Sequence, residues 1–351
     1  MSDGLDSSIA AVLLLEQGCE LVGATFRTWD YISDSCLAKN TGCCSVDAIH
    51  NAGKFAENHG FEHHVVDLRE EFKSIVISDF INEYLEGRTP NPCVVCNAEI
   101  KWGSLLKKAD ELNCDYIATG HYAGIREKDG SHFLINAKDD TKDQTYFLWK
   151  LTSEQLKRTL FPLSGYTKDE VRKIAVERGF NTLAKKRESQ EICFIPDNDY
   201  RKFLTDNVPD IQERIGEGNI VTKDGTIIGK HKGYPFYTIG QRKGLNIPMG
   251  VPVYITKIDK YTNTIVIGSR EDLTGWSFEV KNVVFNQHVD FSKEGLYKVK
   301  IRYNSKPVHC IIKKEEQKVS VFLNEAVYAV TPGQYAVFYH DDELVGGGTI
   351  I

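Results

Sequence analysis

The chain has 351 residues, 43 Lys and Arg against 49 Asp and Glu, and a net charge of −6. Hydrophobic residues at 41% and charged residues at 26% are ordinary globular usage, which excludes disorder, collagen and coiled coil. The charge argues against coating nucleic acid through bulk positive potential but leaves a local basic face open, and no apolar run approaches the ~18 residues of a membrane span.

In chain order, apolar spacing predicts a helix over 9–17 with Ile9, Val12 and Leu13 on one face and Gly18 as its stop. A strand is expected over 20–26, and a helix from a Ser45 cap to about residue 59, closed by Gly60. A strand follows over 64–68, a helix over 70–86, and a helix capped by Asn97 that carries Leu105, Leu106, Ala109 and Leu112. Another strand runs over 116–119 into Gly120, and Thr167 with Glu170 fits a capping box ahead of a helix over 171–178. This alternation predicts an α/β domain built on a parallel sheet. After about residue 205 glycine increases and helical periodicity fades. From Trp276 onward short alternating runs (278–284, 297–302, 308–312, 319–323, 335–339) predict a small β-barrel.

Nine cysteines stand at 19, 36, 43, 44, 93, 96, 114, 193 and 310, an odd number with irregular spacing. A chain of this length does not need disulfides for stability, and its N-terminus shows no basic segment followed by an apolar run and cleavage site. A cytoplasmic enzyme with reduced thiols is the expectation, each thiol being core filler, metal ligand or catalyst.

Four clusters carry chemistry. Ser2-Asp3-Gly4-Leu5-Asp6-Ser7-Ser8 opens into the first helix, where small residues let N–H groups and hydroxyls approach phosphate oxygens. It equally fits an ordinary capped helix, and it is not a Walker loop. Asp6 would orient a Mg²⁺ ion or the loop itself. Second, the rigid stretch Gly87-Arg88-Thr89-Pro90-Asn91-Pro92 leads to Cys93 and Cys96. Cys96 is expected just before a helix N-terminus, which favours thiolate; the C-x-x-C spacing also admits zinc, with Cys43 and Cys44 as further ligands, or two buried structural thiols. Third, Cys193 sits in the apolar run Ile192-Cys193-Phe194-Ile195 after Lys185-Lys186-Arg187, so it reads as core or as a thiol near positive charge. Fourth, Thr119-Gly120-His121-Tyr122 follows a strand end, where ligands gather in open sheets, and Tyr237-Thr238-Ile239-Gly240-Gln241-Arg242-Lys243-Gly244 is a turn that exposes Arg and Lys to phosphate.

Taken in order, these segments resemble the tRNA-specific 2-thiouridylases of the PP-loop ATP pyrophosphatase superfamily. The resemblance also rests on Gly42-Cys43-Cys44-Ser45, Lys142-Asp143-Gln144, Glu188-Ser189-Gln190 and Pro332-Gly333-Gln334, and it spans nearly the whole chain. It implies a PP-loop (adenine nucleotide alpha hydrolase-like) domain over 1–204, a central α+β tRNA-contacting domain over 205–274 and a β-barrel over 275–351. It implies ATP bound by Ser2, Asp3, Gly4, Leu5, Asp6, Ser7, Phe26 and Gly120, with Mg²⁺ accompanying it. It places the target base of a tRNA anticodon loop at Asn91, Pro92 and Cys93, and further tRNA contacts at His121, Lys142, Asp143, Gln144, Arg302, Tyr303 and Gln334. Cys193 would carry a persulfide from a sulfur-relay or cysteine desulfurase partner, Cys96 would be the nucleophile, and a transient Cys96–Cys193 disulfide would remain. A monomer is expected.

Three departures from the family pattern shape the expectations. Met1 stands where the family has a strand before the loop, so the chain begins one strand late or its sheet lacks that strand. Asp3 replaces a glycine beside the phosphates, which costs Coulomb energy unless it points away or meets the metal. Cys93 stands where many relatives have Asp. A weakened tRNA-binding paralogue and another PP-loop adenylylating ligase remain the alternatives, and basic patches are expected around Lys142, Lys186, Arg242–Lys243 and Arg302.

Overall fold

The computed structural model describes residues 1–29, 46–186, 192–195, 197–245, 247–286, 297–316 and 318–351. The chain divides into two compact units. One comprises Met1–Ile77, Cys93–Asn198 and Asp342–Leu344, the other Ser78–Pro92, Asp199–Asp341 and Val345–Ile351. Cys43, Cys44 and the 188–190 segment lie outside the described residues.

In the first unit, α1 (Leu5–Glu16) ends at Gly18, whose φ of +81° suits the stop read from sequence. The expected one-sided stripe is instead a helix covered all round: every residue from Ser8 to Leu14 is buried. β1 (Val22–Arg27) pairs in parallel with β2 (Glu62–Asp67), and α2 (Val46–Asn58) lies between them in sequence as a crossover. β3 (Ile117–Ala118) is followed by an antiparallel hairpin, β4 (Gly124–Lys128) and β5 (Ser131–Ile135). Asp129 and Gly130 turn that hairpin at φ +52° and +74°, as a two-residue Asp-Gly connection requires. β6 (Thr159–Leu160) then pairs in parallel with β3. Among the described residues of the first unit the parallel strands thus form two pairs, β1–β2 and β3–β6, rather than one continuous sheet. α3 (Lys168–Glu177) starts with both halves of the Thr167–Glu170 capping box in place. Its Val171 and Ala175 pack with Leu5, Ile9 and Leu13 of α1 and with Tyr122 in one core cluster.

The predicted helix over 70–86 divides into Arg69–Phe72, a π-helical turn Lys73–Ile77 and Ser78–Leu85. The helix expected from Asn97 starts earlier, as Pro92–Val95, continues as a π-helical stretch Cys96–Trp102 and ends as Gly103–Glu111. Pro92 takes the first helical position, where its fixed φ and missing N–H cost nothing.

In the second unit β7 (Gly218–Val221), β8 (Ile227–His231), β9 (Tyr254–Asp259) and β10 (Thr264–Gly268) form a sheet in the order β8-β7-β10-β9. Ile220, Ile255, Ile265 and Ile267 fill its core. β11 (Thr274–Phe285), β12 (Tyr297–Lys300), β13 (Val308–Lys314), β14 (Val319–Tyr328), β15 (Tyr335–His340) and β16 (Glu343–Ile350) follow in the order β11-β14-β13-β12-β15-β16, and β11–β16 pairing closes the barrel. β16 carries Gly346-Gly347-Gly348, which reads as a turn in sequence. A Cβ on Gly348 would stand 2.6 Å from Val280 Cγ1 and 2.8 Å from Val283 Cγ2, so this strand needs glycine to lie against β11.

Candidate functional site

The N-terminus of α1 opens on a short loop of small and polar residues. Gly4 is its N-cap in extended geometry and supplies no side-chain cap, so the first turn has no side-chain acceptor there. Ser7 Oγ donates to the Ser2 carbonyl at 2.8 Å, and the Ser2 and Ser7 hydroxyls lie 3.1 Å apart. Thr25 Oγ1 of β1 donates to the Met1 carbonyl at 2.8 Å, tethering the start of the loop to a strand. Gly120, just beyond β3, lies against the loop backbone: a Cβ there would meet the Asp6 carbonyl carbon at 2.7 Å and Ser7 N at 2.9 Å. Phe26 is the fifth residue of β1, near the C-terminal end where ligands gather in parallel sheets.

Both acidic residues of the loop are paired. Asp3 Oδ2 takes Lys186 Nζ at 2.6 Å and Asn51 Nδ2 at 3.0 Å, which answers the Coulomb objection to an acid at this position. Asp6 binds Lys168 Nζ through both oxygens at 2.7 Å, and Tyr122 Oη donates to Asp6 Oδ1 at 2.9 Å. Lys168 and the role of Tyr122 escaped the sequence reading. The available signal was a lysine directly after the Thr167 cap, where the helix dipole disfavours a cation. Among the described residues no three His, Cys, Asp or Glu side chains are grouped to hold a metal. Both Asp6 oxygens are engaged by Lys168, and Cys43 and Cys44, the further ligands considered for zinc, lie outside the described residues.

The cysteines differ from expectation. Because the helix starts at Pro92, Cys96 lies one turn inside it rather than ahead of an N-terminus, and the dipole argument for its thiolate fails in that form. Asn97 is buried and donates to the Phe147 carbonyl at 3.1 Å instead of capping. Cys93 and Cys193 are exposed and Cys96 half-buried, and none of the three is in a disulfide. Cys193 is therefore not core. It sits in a turn whose neighbours Phe194 and Ile195 are buried, with Phe194 edge-on to Phe72 at 5.6 Å, so the chain is anchored beside an exposed Cys193.

Other candidates of the first unit organise backbone. Gln144 Oε1 accepts from Tyr122 N at 2.9 Å while Gln144 N donates to the Tyr122 carbonyl at 2.8 Å. Asp143 is buried; it accepts from Ala137 N at 2.9 Å and from the Thr145 hydroxyl at 2.5 Å. Lys142 is half-buried. His121 shares a hydrogen bond with Thr119 Oγ1 at 3.0 Å and lies beside Trp102. Burial, with Lys101 adding repulsion, pushes its pKa down to about 3, so it is neutral at physiological pH.

In the second unit Asn91 and the buried Pro92 end a loop held from the barrel. Gln334 Nε2 donates to the Thr89 and Pro90 carbonyls at 2.8 and 3.1 Å, and Thr89 N donates to the Pro332 carbonyl at 2.9 Å. Arg302 Nη2 donates to the Ala329 carbonyl and Thr331 Oγ1, both at 2.6 Å. Tyr303 has the Lys300 ammonium 5.8 Å from its ring centre. Arg242 and Lys243 are exposed between Gly240 and Gly244, both at positive φ.

A family profile described as the tRNA methyl transferase HUP domain matches residues 1–197, its companion PRC-barrel domain residues 201–269, and an aminomethyltransferase beta-barrel domain residues 276–350. A tRNA-specific 2-thiouridylase of Amoebophilus asiaticus is 50% identical over 351 residues, covering 100% of this chain and 93% of the relative. Those of Cytophaga hutchinsonii and Salinibacter ruber are each 47% identical, covering 100% of this chain and 95% and 92% of the relatives. Matched along its whole length, the chain belongs to the tRNA-specific 2-thiouridylase family.

Proposed function

We propose that this protein is an ATP-dependent tRNA sulfurtransferase that converts the wobble uridine to 2-thiouridine, releasing AMP and pyrophosphate. The observation that carries the reading is the full-length match to relatives of that name, with Cys193 exposed on an anchored turn as a transferable sulfur requires. ATP occupies the uncapped N-terminus of α1, where Ser2, Ser7 and backbone N–H groups meet its phosphates; Mg²⁺ accompanying the nucleotide would offset the triphosphate charge.

The base is drawn out of its stack toward Asn91, Pro92 and Cys93. Its C2 oxygen attacks the α-phosphorus and pyrophosphate leaves. The terminal sulfur of a persulfide on Cys193, received from a sulfur-relay partner, attacks C2 and AMP departs. The Cys96 thiolate then attacks Cys193 Sγ, leaving sulfur on the base and forming a Cys96–Cys193 disulfide that an external thiol reduces. Arg242, Lys243 and Lys142 are the cations we assign to tRNA phosphates. Asp143, Gln144 and Gln334 act through the backbone they hold.

The test is sulfur transfer from a labelled persulfide donor to tRNA. Cys96→Ser and Cys193→Ser abolish transfer while both variants still release pyrophosphate with tRNA present; full transfer by either variant contradicts the cysteine roles. The weakened-paralogue reading loses its electrostatic basis, because Asp3 is paired with Lys186. A methyl transferase, as the profile's description would have it, adds a methyl group to the nucleoside instead of exchanging oxygen for sulfur.

A further inference from the structure

We propose that Lys168 is a positioning residue for ATP, acting by neutralising Asp6 beneath the phosphate loop; the proposal rests on the nucleotide reading above. Its ammonium touches both Asp6 oxygens at 2.7 Å, and the Lys168 side chain is 7% exposed against 33% for Asp6. The Tyr122 hydroxyl completes the contact, and the ammonium lies 5.6 Å from the Tyr122 ring centre. Helix chemistry disfavours a lysine here. It is the first residue of α3, where the dipole opposes a cation, and burying an ammonium costs desolvation. Asp139 Oδ2 accepts the Lys168 backbone N–H at 2.8 Å, which fixes the start of α3 and hence the origin of the side chain.

The pairing determines what the mouth of α1 offers a polyanion. Asp6 lies in the first turn of α1, within the residues assigned to phosphate. An unpaired carboxylate there would oppose the partial positive charge of the helix N-terminus and repel a triphosphate. Asp3 is paired too, with Lys186, but that lysine side chain is 45% exposed against 7% for Lys168, so solvent screens the pair more. Lys168 is thus the buried cation on which the neutrality of Asp6 depends. Because its partner is 162 residues away, it also ties the first turn of α1 to α3.

The experiment is equilibrium binding of Mg·ATP to the full chain, with tRNA binding measured in parallel. Lys168→Met is expected to weaken ATP binding by about tenfold or more with tRNA binding unchanged. Lys168→Arg, which keeps the charge, stays within about threefold of the parent, and Asp6→Asn/Lys168→Met, which removes both charges, recovers to a similar level. The double variant carries the comparison should the single one fail to fold, and a tenfold loss in it overturns the proposal, since Lys168 would then act on the nucleotide itself. Unchanged ATP binding in Lys168→Met also overturns it. A parent chain that binds no ATP overturns the nucleotide reading, a different result from a parent that binds and a variant that binds equally well.

Discussion

His121 shows how one residue's surroundings set its chemistry. Its folded pKa of about 3 lies below the ordinary 6.5, so between those values the unfolded chain binds the extra proton. The contribution to stability is full above pH 6.5 and is lost as the pH falls toward 3. His63 and His231, also lowered by burial, act in the same direction. His121→Gln is expected to flatten part of the decline in urea midpoint between neutral pH and about pH 5; an unaltered decline would assign it to other groups. At this scale the sequence offered Ser2–Ser8 as a phosphate loop or an ordinary capped helix and reached Gly120 only through the resemblance; what the structure adds is that Gly120 lies against the Asp6–Ser7 backbone. The sequence did not carry the Asp6–Lys168 pair: a contact spanning 162 residues depends on where the parallel crossovers bring α3, which no local pattern encodes.

Elements position these groups through close backbone approaches. Gly120→Ala puts a Cβ within 2.7–2.9 Å of the Asp6–Ser7 backbone, whereas Gly165→Ala meets nothing within 4 Å. We expect the first substitution to weaken ATP binding and the second to leave it unchanged; equal effects would separate Gly120 from the loop. In the second unit Gly333 has φ +91°, and a Cβ would lie 2.9 Å from Arg88 Cβ and from Thr89 N. Gly333→Ala is expected to cost about 1–3 kcal/mol in thermal or urea unfolding and to lower thiolation by displacing the loop before Cys93. A variant as stable and active as the parent would show that the barrel does not hold that loop. Most helices and strands were legible from periodicity and caps, the Thr167–Glu170 box in full. The start of the Cys96 helix was misjudged because two prolines read as breakers although Pro92 suits a first helical position. The closing strand β16 was missed because a triple glycine reads as a turn while serving barrel closure.

For the whole molecule, the net charge of −6 limits only non-specific attraction to RNA. The loop's acids are paired by lysines, and Arg242 and Lys243 stand exposed on a glycine-bounded turn. Replacing both with alanine is expected to weaken tRNA binding and to lower the slope of log affinity against log salt by about one to two; an unchanged slope would remove them from the phosphate contacts. The central claim is replacement of oxygen by sulfur at the wobble uridine. Mass spectrometry of nucleosides from unmodified tRNA, after incubation with this protein, ATP, Mg²⁺ and a persulfide donor, tests it most directly. The account predicts 2-thiouridine formed in proportion to AMP, and none without ATP or with Cys193→Ser. Unmodified uridine, or a methylated nucleoside in its place, would contradict it.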